Sequence, residues 1–151
     1  MTTVCWVPGT INNRRYALEA YKFLLGPVEY VCRVHKNGVT VLGKVVKALF
    51  HSNTCKYIWN GEAYSSSDYD LLGDTGTRWK SVGYTMDKAI LGGFSEDGKP
   101  TLICRAWLYE YLPKVYGQWS GRLSPPSYNK CKFVNKGTIH KRTDFEVLVN
   151  G

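Results

Sequence analysis

A chain of 151 residues with 44% hydrophobic content can bury one core, and it carries no low-complexity run of the kind that stays disordered. No apolar stretch reaches the ~18 residues a membrane helix needs, which excludes a helical span. Twenty Lys+Arg against twelve Asp+Glu give a formal net charge of +8, with most of the excess in the second half of the chain, so an anionic partner has to be weighed.

The N-terminal MTTVCWVPGT has neither a positive n-region nor an apolar h-region, so a cytoplasmic location is expected. Release or surface attachment would then need a route without a signal peptide. From there on, short runs of Val, Ile, Tyr, Trp and Cys are broken by Gly, Pro, Asn and Ser about every 8 to 12 residues, the spacing of an all-β chain. Strands are expected at 16–20, 29–35, 39–42, 44–50, 56–59 and 68–72, with counterparts in the second half. Asn37-Gly38 marks a hairpin, because both residues tolerate positive φ, and Ser95 to Pro100 (SEDGKP) marks a second turn. In EYVCRV and TLICRA, two-residue periodicity puts Val31, Arg33, Ile103 and Arg105 on one face and Cys32 and Cys104 on the other.

The order of these elements repeats. Cys55 to Leu72 (CKYIWNGEAYSSSDYDLL) aligns without gaps on Cys131 to Leu148 (CKFVNKGTIHKRTDFEVL), and YVCRV aligns on LICRA. Trp6 and Trp79 stand near the start of each copy and are assigned to the core. The copies are offset by 72 residues at Arg33 and Arg105 but by 76 at Cys55 and Cys131, so four extra residues lie between Ala106 and Lys130. The chain therefore divides into repeat 1 (1–76) and repeat 2 (77–151). A unit of this size is marginal alone, which favours two β-sandwich-like halves related by a pseudo-twofold axis, with strands exchanged between them as one variant.

Four of the five cysteines form repeat-equivalent pairs, Cys32 with Cys104 and Cys55 with Cys131. Without a signal peptide they read as reduced, buried, small hydrophobes rather than disulfides. Arg33 and Arg105 read as structural, each bridging a carboxylate such as Asp68 or Asp144. The basic cluster Lys130, Lys132, Lys136, Lys141 and Arg142 fits an outer strand face better than a nucleic-acid stripe, and copy 1 carries SSS where copy 2 carries KRT.

With these pieces assembled, GGFSEDGKPTLICRA, LGKV and DFEVL resemble the DM-nine (DM9) repeat, over about residues 5–72 and 78–148. The resemblance implies an all-β fold of two intertwined halves and calcium-independent recognition of sugars, mannose especially. It also implies a grip made by an Asp after G-[YF] and the Lys that ends P-G-K. Lys44 in LGKV falls on that lysine, and Lys114 in LPKV is its expected counterpart. The Asp position falls on Phe23 in copy 1 and on Ser95 in copy 2, where Glu96 and Asp97 follow. The expected carbohydrate-binding residues are thus Lys44, Lys114, Ser95, Glu96 and Asp97. For each of these the plain alternative is an exposed strand lysine or a turn residue.

The aromatic segment Trp107 to Gly121 offers either sugar-stacking faces or core packing. His35, His51 and His140 have no partners between copies and receive no catalytic role. There is no phosphate loop, no metal-binding or hydrolase motif, and no identifiable carboxylate pair, so no enzymatic activity and no cofactor are expected. The expected partners are mannose-type glycans and a second copy of the chain. A protein or membrane-surface adaptor and a basic nucleic-acid binder are the rivals.

Overall fold

A computed structural model of the chain describes residues 4–22, 28–47, 53–81, 88–110, 115–124 and 128–150. The fold is all-β, with one short 3-10 turn at Ile11–Tyr16. Two antiparallel seven-stranded sheets divide the chain between them. The first comprises β1 (Trp6–Pro8), β2 (Glu19–Lys22), β3 (Val28–Lys36), β4 (Val39–Lys47), β5 (Cys55–Trp59), β6 (Glu62–Ser66) and β7 (Asp70–Leu72). The second comprises β8 (Thr77–Ser81), β9 (Leu91–Phe94), β10 (Pro100–Glu110), β11 (Val115–Leu123), β12 (Cys131–Asn135), β13 (Thr138–Arg142) and β14 (Glu146–Asn150).

The topologies coincide strand for strand. The first sheet runs β1-β7-β3-β4-β5-β6 with β2 also paired to β3. The second runs β8-β14-β10-β11-β12-β13 with β9 also paired to β10. Small details repeat too: the Leu18 amide donates to the Leu72 carbonyl (2.8 Å), and the Ile90 amide donates to the Leu148 carbonyl (3.0 Å). Among the described residues no strand hydrogen-bonds into the other half's sheet, so the exchange of strands weighed from the sequence is absent there. The halves interlock by packing instead. The backbone of β9 lies against β4, where a Cβ on Gly93 would come 2.7 Å from the Thr40 carbonyl, and β2 lies against β11.

Two-residue periodicity distributes the core. One face of β3 and β4 carries Tyr30, Cys32, Val34, Val41 and Val45 into a core belonging to the first half, closed by Cys55, Tyr57, Trp59 and Leu71. Cys104, Ala106, Leu108, Cys131, Phe133, Phe145 and Val147 build the equivalent core of the second. The opposite face supplies a third core shared by both halves: Val31, Leu42 and Leu72 meet Ile90, Ile103 and Leu148. Neither half alone would cover this shared layer, which is why two copies fold together.

The expectation that the paired cysteines are reduced is corrected. Cys32 is bonded to Cys55 and Cys104 to Cys131, each with a Cα separation of 6.0 Å. The bonds cross from β3 to β5 and from β10 to β12, over a middle strand that carries a glycine at the crossing. Gly43 stands in register between Cys32 and Tyr57. A Cβ there would lie 2.7 Å from Cys55 Sγ and would also collide with the Lys56 carbonyl. Gly121 occupies the same place opposite Cys104 and is blocked by the Lys132 carbonyl.

Candidate functional site

The strands β4 and β11 decide where the site lies. In β4, Lys44 is one residue past Gly43 and pairs with Val31; in β11, Arg122 is one residue past Gly121 and pairs with Ile103. Two-residue alternation turns both side chains away from the disulfides and toward the interface between the sheets. Both are buried, at 3% and 5% exposure. Arg122 is thus the repeat equivalent of Lys44. Lys114, assigned that place from the sequence, lies outside the described residues, and the register gives the position to Arg122. The hairpin of copy 2 is six residues longer than that of copy 1 between cysteine and glycine, and the following loop is two shorter. A gap of four hid this shift, although the dipeptides Gly43-Lys44 and Gly121-Arg122 signalled it.

The two cations line one cleft on the pseudo-twofold axis. Leu42, Lys44, Lys56 and Ile58 face Arg122, Lys132 and Val134 across it. Lys56 and Lys132 are equivalent, as are Ile58 and Val134, so the cleft presents four cations between short apolar walls. Burial lowers the pKa of Lys132 below the ordinary lysine value, and the neighbouring cations Lys141 and Arg122 lower it further.

The turn between β9 and β10 brings a carboxylate to this cleft. The Ser95 amide donates to the Lys99 carbonyl (2.8 Å) and the Gly98 amide to the Ser95 carbonyl (2.9 Å), which fixes the turn predicted from SEDGKP. Ser95 is buried, and its hydroxyl donates to the Asp97 carboxylate. That bond, the largest cause, holds the Asp97 carboxyl below its usual pKa. Asp97 itself points to solvent beside Lys99. Glu96 points the other way and accepts from Arg122 Nη2 at 3.3 Å. Of the five residues proposed from sequence, the structure brings Glu96 to Arg122, sets Lys44 in the same cleft as Arg122, keeps Ser95 inside the turn that carries Glu96 and turns Asp97 outward. Phe23 lies outside the described residues.

The paired arginines lie elsewhere. Arg33 Nε donates to Asp70 (3.0 Å) with its guanidinium 4.5 Å over the Trp6 ring. Arg105 Nε donates to Glu146 (2.9 Å) with its guanidinium 4.5 Å over Trp79. Their carboxylate partners are Asp70 and Glu146, two residues beyond the Asp68 and Asp144 expected. Arg105 also donates to the Ala20 carbonyl (2.7 Å), tying the second half to the first. These are structural bridges. His35 lies 3.3 Å from Asp70 and His140 stacks on Phe133; His51 lies outside the described residues.

The sequence profile of the DM9 repeat matches residues 26–117, more than half of the chain. The chain belongs to the DM9 repeat family. No curated protein matches this DM9 chain significantly. The profile match ends before Arg122 and thus runs through Lys44 and the Ser95–Glu96 turn. Among the described residues of this DM9 protein no helix is long and apolar enough to cross a membrane.

Proposed function

We propose that this DM9 protein is a non-catalytic carbohydrate-binding protein of the mannose type, acting in glycan recognition. The observation that carries the reading is the Glu96–Arg122 pair, with Arg122 at the position repeat-equivalent to Lys44. A carboxylate and a cation side by side are the groups the family resemblance implies for gripping a sugar. The carboxylate accepts from hydroxyls and the cation donates to ring or hydroxyl oxygens, both through charge-assisted bonds. Glu96 sits one residue beyond the family's Asp position, and arginine replaces lysine with a wider fork of donors.

The two disulfides fit an oxidising environment better than the cytoplasm expected from the N-terminus. The basic cluster of copy 2 fits a nucleic-acid stripe poorly, because Lys132 lines the inter-sheet cleft instead of joining a continuous outer face. A homodimer would double the number of sites and raise avidity through effective concentration.

The test is retention on mannose resin. The protein should be held, be eluted by free mannose and stay bound as salt is raised, since hydroxyl recognition responds little to screening. Lys44→Ala and Arg122→Ala should each lower the affinity by roughly tenfold, the order expected for one charge-assisted hydrogen bond. Folded protein that passes straight through the column removes the reading.

A further inference from the structure

We propose that the groove beside Trp107 in the second half is a separate saccharide subsite, which takes a neutral pyranose ring and turns away acidic sugars. It rests on the carbohydrate reading above but shares no residue with the Lys44–Arg122 cleft. Three features carry it.

The first is room in an accessible place. Ser81, Arg105, Trp107, Asp144, Phe145 and Glu146 line a groove of ≈ 430 Å³. Small-molecule sites typically span about 300–1,000 Å³. The register explains why the groove forms here. Arg105 and Trp107 are two residues apart on β10, Glu146 stands opposite Arg105 on β14, and Ser81 stands opposite Glu146 on β8. All four share the face that carries Ile103 into the common core. Along β10 that face passes from fully buried at Ile103 to 40% exposed at Trp107.

The second is the chemistry of the walls. An indole ring packs against the C–H face of a pyranose, and a carboxylate accepts from its hydroxyls. Trp107 meets Tyr21 edge to face, with ring centroids 5.6 Å apart and planes at 77°, so its ring is oriented before a ligand arrives. Asp144 is exposed in the bend before β14, and among the described residues no hydrogen bond or ion pair engages its side chain. Asp144 and Glu146 repel an anionic sugar, while the Arg105 guanidinium, paired with Glu146 at 2.9 Å, stands against a cation. A neutral ring of hydroxyls and C–H bonds meets neither cost.

The third is the contrast between the copies. The bridge beneath the groove is kept in both, as Arg105–Glu146 and Arg33–Asp70. The residues around it are not. Trp107 and Ser81 answer His35 and Pro8 of copy 1, and His35 lies 3.3 Å from Asp70. The second half thus places an indole and a hydroxyl where the first has an imidazole against the carboxylate and a proline. Trp107 also opens the aromatic segment whose sequence offered sugar-stacking faces.

Two-dimensional NMR of the intact protein, which reads the indole N–H signals of its five tryptophans, tests the proposal. The signal missing from Trp107→Phe identifies Trp107. Titration with methyl α-mannopyranoside should move that signal until it saturates. The carboxylate analogue of the same sugar, the mannuronide, should move it far less at matched concentration and ionic strength. Asp144→Asn, a change at an exposed position, should raise the Kd read from the Trp107 signal roughly tenfold. A Trp107 signal that stays fixed while backbone amides elsewhere respond to the mannoside overturns the subsite and leaves the carbohydrate reading standing. An equal response to mannoside and mannuronide, or a Kd unaffected by Asp144→Asn, overturns it as well. No response anywhere in the spectrum to either sugar removes both readings.

Discussion

At the scale of single residues, the paired arginines show how a structural charge is held. Arg105 is sandwiched between the Trp79 ring and Glu146 while its other end donates to Ala20 of the opposite half. Replacing it by methionine keeps the aliphatic stem but removes a partly buried ion pair and a cross-half hydrogen bond. The variant should unfold about 1–3 kcal/mol more readily in a urea titration. The sequence was informative here: matched arginines in mid-strand pointed to bridging. It could not say which carboxylate answers them. In the strand expected over 68–72, Asp68 and Asp70 would share a face, and periodicity alone does not choose between residues two apart; the structure leaves Asp68 in the bend before β7 and sets Arg33 opposite Asp70. Arg122 was hidden for a different reason: the longer hairpin of copy 2 shifted the alignment, and a lysine was sought where the strand supplies an arginine.

At the scale of elements, the disulfides cross a middle strand that must carry no side chain. Gly43→Ala would push a methyl group into Cys55 Sγ and the Lys56 carbonyl, neither of which is the free end of a flexible chain. Such overpacking should destabilise the protein by about 1–3 kcal/mol in thermal or chemical unfolding, and Gly121→Ala should do the same on the other side. Most strands were legible because their apolar residues alternate or run together. The two segments read as 39–42 and 44–50 are the single strand β4, continuous through Gly43, which looked like a break. The strands β6 and β13 were not legible: EAYSS and TIHKR are polar and largely solvent-facing at the sheet edges, so they lack the apolar signature. Their Asn60-Gly61 and Lys136-Gly137 turns, with positive φ at all four residues, were the available signal.

At the scale of the whole molecule, two private cores and one shared core are closed by two covalent links. Each disulfide ties residues 23 or 27 apart, worth about 3 kcal/mol in the chain-entropy picture. Thiol titration of the native protein should detect one of the five cysteines, the exposed Cys5, and denaturation after reduction should reveal all five. Reduction should lower the unfolding temperature by several degrees per bridge. Four reactive thiols beyond Cys5 in the unreduced, denatured protein would refute the bridges. The duplication itself was plain in the sequence because both copies keep the same residues at the same turns. The oxidation state was not, because the bonded partners lie on non-adjacent strands and only the fold brings them together.

Joining the two copies in one polypeptide has a consequence that a dimer of single repeats could not achieve. In a symmetric dimer every substitution near the axis is made twice, so lysine would always face lysine. Here lysine at 44 stands across the axis from arginine at 122, and each can drift on its own. Tandem linkage thus lets the two sides of the cleft carry different cations, as Lys44 and Arg122 do.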